Sequence, residues 1–214
     1  IDAARAIMTG EGDIMIAGGT ESMTRAPFVM PKATEAFTRT NAVYDTTIGW
    51  RFTNPKLAKM YYPYSMGETA ENVAKRYNIA RERQDEFAMH SQQKAKEAIL
   101  GGKFRNEITA VEIISKKETI VFDVDEFPRL DTTLDKLAKL KPAFAKEGGT
   151  VTAGNSSGVN DGACAILLAS AEKADELGLT KRARIVSSAV AGVEPDCMGL
   201  GPIPASRKAL ERAG

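Results

Sequence analysis

The chain has 214 residues, 43% of them hydrophobic, which is enough for one large domain or two small domains with a hydrophobic core. Its 29 basic and 28 acidic side chains give a formal net charge of +1, which argues against broad affinity for nucleic acid or for a membrane surface. No apolar run approaches the roughly 20 residues that span a bilayer, and the two widely separated cysteines indicate a reducing compartment rather than a metal site or a disulfide scaffold.

The first residues predict a helix over residues 1–8 that is ended by Gly10, followed by a strand at residues 13–17. This strand is apolar on both faces and is flanked by helices, a pattern typical of the middle of a parallel α/β sheet. The chain opens inside a helical pattern, without an initiator methionine or a signal peptide, and closes in another at residues 204–214. We therefore expect an internal piece of a longer protein.

Periodicity is lost over residues 27–64, where Pro, Thr, Asn and scattered aromatic residues take over. An irregular segment of this length is usually functional or an excursion from the main fold. Order returns at Ser65, which with Glu68 forms a capping-box pattern at the start of a helix. A second helix around residues 87–99 is predicted to end at Gly101.

The next part of the chain alternates between strand and helix patterns. Segments rich in β-branched residues at 108–114 and 118–124 predict two strands. A helical pattern at residues 133–141 stops at Pro142. A glycine-rich loop then leads into residues 164–170, which predict a second buried strand.

The last part predicts one more helix and one more strand. Ser170 is the expected N-cap of a helix that runs to Leu177, with Gly178 just past its end. Residues 184–191 predict a third strand. Two α/β pieces therefore flank an inserted α+β region at about residues 27–152.

Three side chains are candidates for nucleophilic or acid–base chemistry, and none is predicted to be catalytic. His90, the only histidine, lies in a helical pattern without a surrounding motif and is expected at the surface or its boundary. Cys164 stands inside an apolar strand and is expected to be packed in the core. Cys197 lies in a turn-rich segment where it could be more exposed, but no cationic neighbour activates it and a passive thiol is expected.

The glycine-rich loop at residues 150–162 leaves two interpretations open. It precedes a strand, whereas loops that cradle phosphate precede a helix N-terminus, and residues 17–20 lack dinucleotide-fingerprint spacing. Small residues and hydroxyl groups still permit close approach by a thin, amide-bearing ligand. An ordinary tight turn fits the same residues equally well.

A cluster of basic side chains precedes this loop and also has two interpretations. Lys136 and Lys139 would share one face of a helix. A solvated surface is the favoured interpretation from the residues alone, and contact with a phosphate-bearing ligand is the other. The cluster consists of Arg129, Lys136, Lys139 and Lys141.

Six longer motifs occur in a fixed order, and together they resemble the thiolases, acyl-CoA C-acyltransferases. The resemblance covers essentially the whole chain. Two further segments, APFVM at 26–30 and DTTIGWRF at 45–52, resemble the degradative and β-ketoadipyl-CoA-type members. The six are GTESM at 19–23, MGETAENVA at 66–74, DEFPR at 125–129, KLKPAF at 139–144, TVTAGNSSGVNDGA at 150–163 and GPIPA at 201–205.

The resemblance implies an α/β, thiolase-like fold that is incomplete in this chain. The family fold has two βαβαβαββ halves, with a loop domain inserted in the first. Residues 1–24 would end the N-terminal half, and residues 25–152 would be the α+β loop domain that binds coenzyme A. Residues 153–173 would supply the return strand of the first half, and residues 174–214 would open the C-terminal half.

The resemblance also implies a set of ligand-binding residues for acyl-CoA, which is a substrate rather than a tightly bound cofactor. Ser157 would hydrogen-bond the pantetheine arm, and small residues beside it would line the same wall. Met66 would lie near the acyl group, and Ser65 stands where some members carry a histidine. The remaining implied contacts are Ala153, Ser156 and Gly158 with the pantetheine, Phe144 and Leu137 with the pantetheine or adenine, and Arg129 with the adenine and phosphate end.

The catalytic motifs of the family are not among these residues. The nucleophilic Cys-Gly-Ser-Gly stretch belongs before Ile1, and the Asn-Glu-Ala-Phe, Gly-His-Pro and Cys-x-Gly-Gly motifs belong after Gly214. The chain alone is therefore expected to be inactive, within a cytoplasmic enzyme that forms a homodimer or homotetramer and binds neither nucleic acid nor membrane. Two alternatives stay open, a non-catalytic coenzyme A- or lipid-binding module of thiolase-like build and a folding fragment without ligand affinity.

Overall fold

The structure, a computed structural model, describes residues 1–214 and divides them into two compact units. The first unit contains residues 1–65 and 159–214, and the second contains residues 66–158. No helix combines the length and apolar character that crossing a membrane requires. The predicted division at residues 24, 152 and 173 stays a prediction.

The first unit is built on an antiparallel strand pair next to its first helix. Helix α1 (Asp2–Met8) is followed by β1 (Ile14–Glu21), which confirms the two elements predicted there. Strand β1 pairs antiparallel with β6 (Gly162–Ala169), from Ile14 opposite Ala169 to Glu21 opposite Gly162. The expected parallel neighbours are wrong for this chain, because β6 is the only strand that pairs with β1.

The burial predicted for these two strands is also wrong. Ile16 is 76% exposed and Ile166 is 62% exposed. An apolar strand pattern predicts that another layer of secondary structure packs on the strand, but whether such a layer is present depends on other parts of the chain. Helix α1 packs against β1 and β6, and much of the apolar surface of the pair stays open.

The irregular segment after β1 contains three short elements that its sequence did not reveal. Strands β2 (Phe28–Val29) and β3 (Tyr44–Asp45) form a two-residue antiparallel ladder. Helix α2 (Pro55–Met60) begins at Asn54, whose side chain accepts hydrogen bonds from the Lys56 and Leu57 amides. Elements this short carry too few residues for a recognisable period.

The second unit confirms the helices and strands predicted for it. Helix α3 (Met66–Arg76) starts directly after Ser65, and α4 (Arg81–Leu100) ends at Gly101. Strands β4 (Val111–Ile114) and β5 (Thr119–Phe122) form a hairpin. Helix α5 (Leu134–Ala138) begins at Thr133, whose hydroxyl accepts a hydrogen bond from the Lys136 amide.

The C-terminal part of the first unit confirms one helix cap and corrects one strand. Ser170 caps α6 (Ala171–Glu176) by accepting from the Lys173 amide at 3.1 Å. Residues 184–191 form no strand, because no other strand lies beside them to complete a ladder. They lie instead along α7 (Pro202–Ala213), where the Ser187 hydroxyl donates to the Ala209 carbonyl.

The two cysteines have the reverse of their expected exposure. Cys164, expected in the core, is exposed on β6, whose faces are open. Cys197, expected to be the more exposed of the two, is 1% exposed in the 3₁₀ segment Pro195–Leu200. His90 is exposed, as predicted for a histidine at the surface or its boundary.

Candidate functional site

A cavity of about 630 Å³ lies within the second unit, between two walls. One wall is formed by α5 and the residues after it, including Leu137, Leu140 and Phe144. The other is formed by residues 153–158 of the glycine-rich loop, which we term the loop wall. Seven of the predicted ligand residues line this cavity: Arg129, Leu137, Phe144, Ala153, Ser156, Ser157 and Gly158.

The other two predicted residues do not line the cavity. Met66 is 73% exposed at the first position of α3. Ser65 is half-buried and belongs to the first unit. Their role near an acyl group stays a prediction.

Hydrogen bonds within the loop hold the loop wall in a fixed turn. The Asn155 side chain accepts from the Thr152 amide at 2.7 Å and donates to the Thr150 carbonyl at 3.0 Å. The Ser156 hydroxyl donates to the Thr152 carbonyl at 2.7 Å. Thr152 itself is fully buried, so its polar groups need these partners. The loop therefore presents a defined surface to the cavity.

Glu71 of α3 anchors the start of this loop from outside the cavity. Its carboxylate accepts from the Thr150 amide at 2.9 Å, the Thr150 hydroxyl at 2.9 Å and the Val151 amide at 2.8 Å. Two consecutive backbone N–H groups donate to the same carboxylate. Because the acceptor is charged, these hydrogen bonds are stronger than neutral ones. Gln84 of α4 adds a 2.9 Å hydrogen bond to the Thr150 hydroxyl.

Two side chains in the cavity are available to a ligand. The Ser157 hydroxyl and the Arg129 guanidinium make no hydrogen bond or ion pair within the chain, while the Arg129 amide is held by Gln92 at 2.9 Å. Lys136 is engaged, because its ammonium group contacts Asp131 at 2.5 Å. The hydrogen bond and the charge of Lys136 lower the pKa of Asp131 below its ordinary value of 3.8. The charge of Arg129 also contributes to the lowered pKa of Asp131, but its guanidinium keeps all its hydrogen-bond donors available to an anion.

The cavity wall requires glycine at two positions. A Cβ atom at Gly67 would collide with the ring of Phe144, and one at Gly154 would come within 2.5 Å of Leu137 and Leu140. Neither glycine has a positive φ, so close approach of side chains is the reason for glycine here. Gly67 lets the Phe144 ring lie directly on the backbone of α3.

Sequence reasoning missed the side chains that hold the site together. Glu71 stands in one of the quoted motifs, yet nothing in its pattern shows that its carboxylate faces the loop. Arg81 and Asp85 are four residues apart on one helix, which is a recognisable ion-pair spacing. That spacing also forms ion pairs on solvated helix faces, so it did not predict a buried pair.

Comparison with known proteins finds a matching family model and similar proteins along the chain. The family model for the thiolase N-terminal domain matches residues 1–172. A β-ketoadipyl-CoA thiolase from Escherichia coli is 55% identical, over 99% of this chain and 53% of that protein. An acetyl-CoA acetyltransferase from Chromobacterium violaceum is 50% identical, with the same two coverages of 99% and 53%.

A solved structure is similar over the same extent. The crystal structure of the Bacillus anthracis acetyl-CoA acetyltransferase superimposes with a TM-score of 0.86 at 42% sequence identity, covering 99% of this chain and 52% of that one. The chain therefore spans about half the length of the curated relatives it matches.

Proposed function

The chain belongs to the thiolase family, and we propose that it supplies the coenzyme A-binding part of an acyl-CoA C-acyltransferase. The observation that carries this proposal is that seven residues assigned to coenzyme A from sequence motifs line one cavity of the second unit. This cavity is large enough for part of a ligand of that size. Its mixed lining, with apolar side chains and one free cation, suits a slender arm that ends in phosphates.

Each wall has a role in this proposal. The loop wall lies along the pantetheine arm, where Ser157 offers a free hydroxyl to an amide of the ligand and Gly158 allows close approach. Leu137 and Phe144 contact the arm or the adenine ring, and Arg129 meets the phosphate end. A planar guanidinium binds phosphate oxygens through two parallel hydrogen bonds, which a neutral side chain cannot do.

The proposed reaction is Claisen condensation and its reverse, thiolysis of a 3-oxoacyl-CoA. A cysteine thiolate accepts the acyl group and a second cysteine moves the proton, while hydrogen-bond donors stabilise the enolate oxygen. No cysteine or histidine of this chain lines the cavity. We assign these steps to groups outside the 214 residues, and we expect the chain alone to show no thiolysis.

Calorimetric titration of the 214-residue chain with coenzyme A tests the binding proposal. Ser157→Ala should weaken binding about two- to tenfold, the range for one neutral hydrogen bond, and Arg129→Ala should weaken it at least about tenfold, because its hydrogen bonds go to a charged group. Arg184→Ala and Ser206→Ala are matched controls, because both side chains are exposed in the first unit. Unchanged affinity in both cavity variants would show that the site is assigned wrongly.

A second candidate is a non-catalytic coenzyme A- or lipid-binding module of thiolase-like build, which the same cavity of the second unit would serve. An assay of acetoacetyl-CoA thiolysis by the full-length protein separates the two. Turnover supports the enzyme, and coenzyme A binding without turnover supports the module. For the enzyme, we further propose a cytoplasmic location and a homodimeric or homotetrameric assembly.

A further inference from the structure

The two walls of the cavity come from different elements, and one ion pair outside the cavity joins them. Leu137 and Leu140 belong to α5 and the turn after it, whereas Asn155 belongs to the loop wall. Arg81 donates to the Leu137 carbonyl at 2.8 Å and to the Leu140 carbonyl at 3.1 Å. Arg81 therefore holds two backbone carbonyl groups of the α5 wall.

The connection continues through one carboxylate. Arg81 Nε donates to Asp85 Oδ2 at 2.8 Å, and the Asn155 amide donates to Asp85 Oδ1 at 2.9 Å. One oxygen of Asp85 thus accepts from Arg81, which holds the carbonyl groups of the α5 wall, and the other accepts from Asn155 of the loop wall. Neither Arg81 nor Asp85 lines the cavity.

The Arg81–Asp85 ion pair is largely shielded from solvent. The Asp85 side chain is 5% exposed and that of Arg81 is 19% exposed. A desolvated ion pair is stable only when most of its donors and acceptors are satisfied, and here both walls supply partners. The two residues lie one turn apart on α4, so a rigid helix sets the separation between their partners.

We propose that Arg81 and Asp85 form a clamp that sets the spacing of the two cavity walls and so positions both for the ligand. They are positioning residues, which act through Leu137, Leu140 and Asn155 rather than by touching coenzyme A. The consequence for coenzyme A rests on the proposed function, but the clamp itself can be tested without a ligand.

Asp85→Asn is the most informative change because it preserves shape. An asparagine has a single acceptor oxygen, so it can satisfy either the Arg81 Nε–H or the Asn155 amide group, but not both. Its own amide group then faces another donor. One side of the clamp is lost whichever way the side chain turns.

Hydrogen exchange of individual amides in the ligand-free chain tests the clamp directly. The Leu140 amide reports the α5 wall, since it donates to the carbonyl that Arg81 also contacts, and the Thr152 amide reports the loop wall through Asn155. The Val151 amide is the internal reference, because Glu71 holds it independently. Asp85→Asn should accelerate exchange at Leu140 or Thr152 at least about tenfold relative to Val151.

Two results of this experiment would overturn the clamp. Exchange that is unchanged at both reporters would overturn the clamp. Acceleration by the same factor at all three amides would overturn it too, because it would mean a general loss of stability. Asp175→Asn is the matched control, since it removes one partner of an exposed ion pair with Lys181 in the first unit.

Titration with coenzyme A tests the consequence for binding. Asp85→Asn should weaken binding about tenfold, and Arg81→Lys should also weaken it, because one ammonium group cannot reproduce the forked contacts. In the full-length enzyme KM for coenzyme A should rise while kcat stays within about twofold, since the clamp touches no reacting atom. Wild-type affinity in both variants would overturn this consequence. If the unaltered chain binds no coenzyme A, the proposed function fails, and hydrogen exchange alone decides the clamp.

Discussion

At the scale of single residues, the cavity depends on side chains that do not face the ligand themselves but hold the ligand-facing residues in place. The Ser157 hydroxyl is available to a ligand because Glu71 and Asn155 hold the loop that carries it, and Gln92 holds the backbone at Arg129. The free groups are recognisable from motifs. The supporting groups are recognisable only when their partners, often far away in sequence, are brought beside them.

Gly67→Ala separates helix propensity from cavity shape. In an open helix this change stabilises by about 1 kcal/mol, whereas here the new Cβ collides with the Phe144 ring. Overpacking costs about 1–3 kcal/mol, but Phe144 is 40% exposed and its ring can swing outward. We expect little net change in unfolding free energy and about tenfold weaker coenzyme A binding, measured by denaturation and calorimetry.

Gly192→Ala is the control for this change, because nothing lies within 4 Å of its added Cβ. It should leave binding unaltered. Wild-type affinity in the Gly67 variant would mean that the Phe144 ring is not part of the ligand-binding wall.

Glu71→Gln tests the anchor of the loop. Glutamine keeps one acceptor oxygen but turns an amide group toward the donors of Thr150 and Val151. Hydrogen bonds to charged groups are each worth about 1.5–3 kcal/mol, so we expect a loss of about 2 kcal/mol in unfolding free energy. Urea denaturation measures it. Glu86→Gln, an exposed change on α4, should cost less than about 0.5 kcal/mol, and an equal effect of both variants would refute the anchor.

At the scale of elements, the first unit is tied together by a few polar links between distant segments. Asp161, just before β6, accepts from the Thr24 amide at 2.9 Å and the Thr24 hydroxyl at 2.6 Å. Thr24 lies in the 3₁₀ turn Met23–Arg25 that follows β1. This link lies at the end of the β1–β6 pair where Glu21 is opposite Gly162.

The Thr24–Asp161 link makes part of the stability depend on pH. Hydrogen bonds from the Thr24 hydroxyl and amide lower the pKa of Asp161 from its ordinary value of 3.8. A carboxyl group whose pKa is lowered by folding stabilises the fold above its unfolded value, and this stabilisation is lost as pH falls through the folded value. The difference in unfolding free energy between the unaltered chain and Asp161→Asn should therefore shrink below about pH 4.

Thr24→Ala provides the matched comparison. It removes the hydroxyl donor but keeps the amide, so its pH dependence should lie between those of the unaltered chain and Asp161→Asn. Parallel stability curves for all three proteins across the acid range would contradict the link.

At the scale of the whole molecule, the amount of exposed apolar surface is the dominant feature. Most of the large apolar side chains of the β1–β6 pair and of the β4–β5 hairpin are exposed. Ile16 and Leu167 face each other across the β1–β6 pair and are 76% and 54% exposed. Open apolar strands are sites of association.

We therefore expect the 214-residue chain to self-associate, with a sedimentation coefficient that rises with concentration. Ile16→Glu combined with Leu167→Lys should reduce this association, because opposite charges at a cross-strand pair keep the strands paired while making the surface polar. Leu210→Lys is the control, at a residue 71% exposed on α7. A concentration-independent sedimentation coefficient for the unaltered chain would show that these strands do not drive association.

Much of the secondary structure could be read from the residues, whereas side-chain exposure could not. The long helices α3 and α4 and the cap at Ser170 were predicted because capping groups and terminal glycines act locally. Strand pairing at residues 184–191, burial of β1 and β6, and exposure of Cys164 were predicted wrongly. Each of these properties depends on whether another element packs beside the segment. An apolar pattern indicates that burial is favourable, but it does not show which element provides it.

For this protein the sequence alone determined the family, the longer helices and seven residues that line one cavity, because motifs and local propensities are carried by contiguous residues. Only the tertiary structure revealed that Glu71 anchors the loop and that Arg81 and Asp85 join the two walls. A buried polar group must find partners wherever the fold brings them. The Asp85–Asn155 contact spans 70 positions of the chain, a separation at which no local pattern carries information.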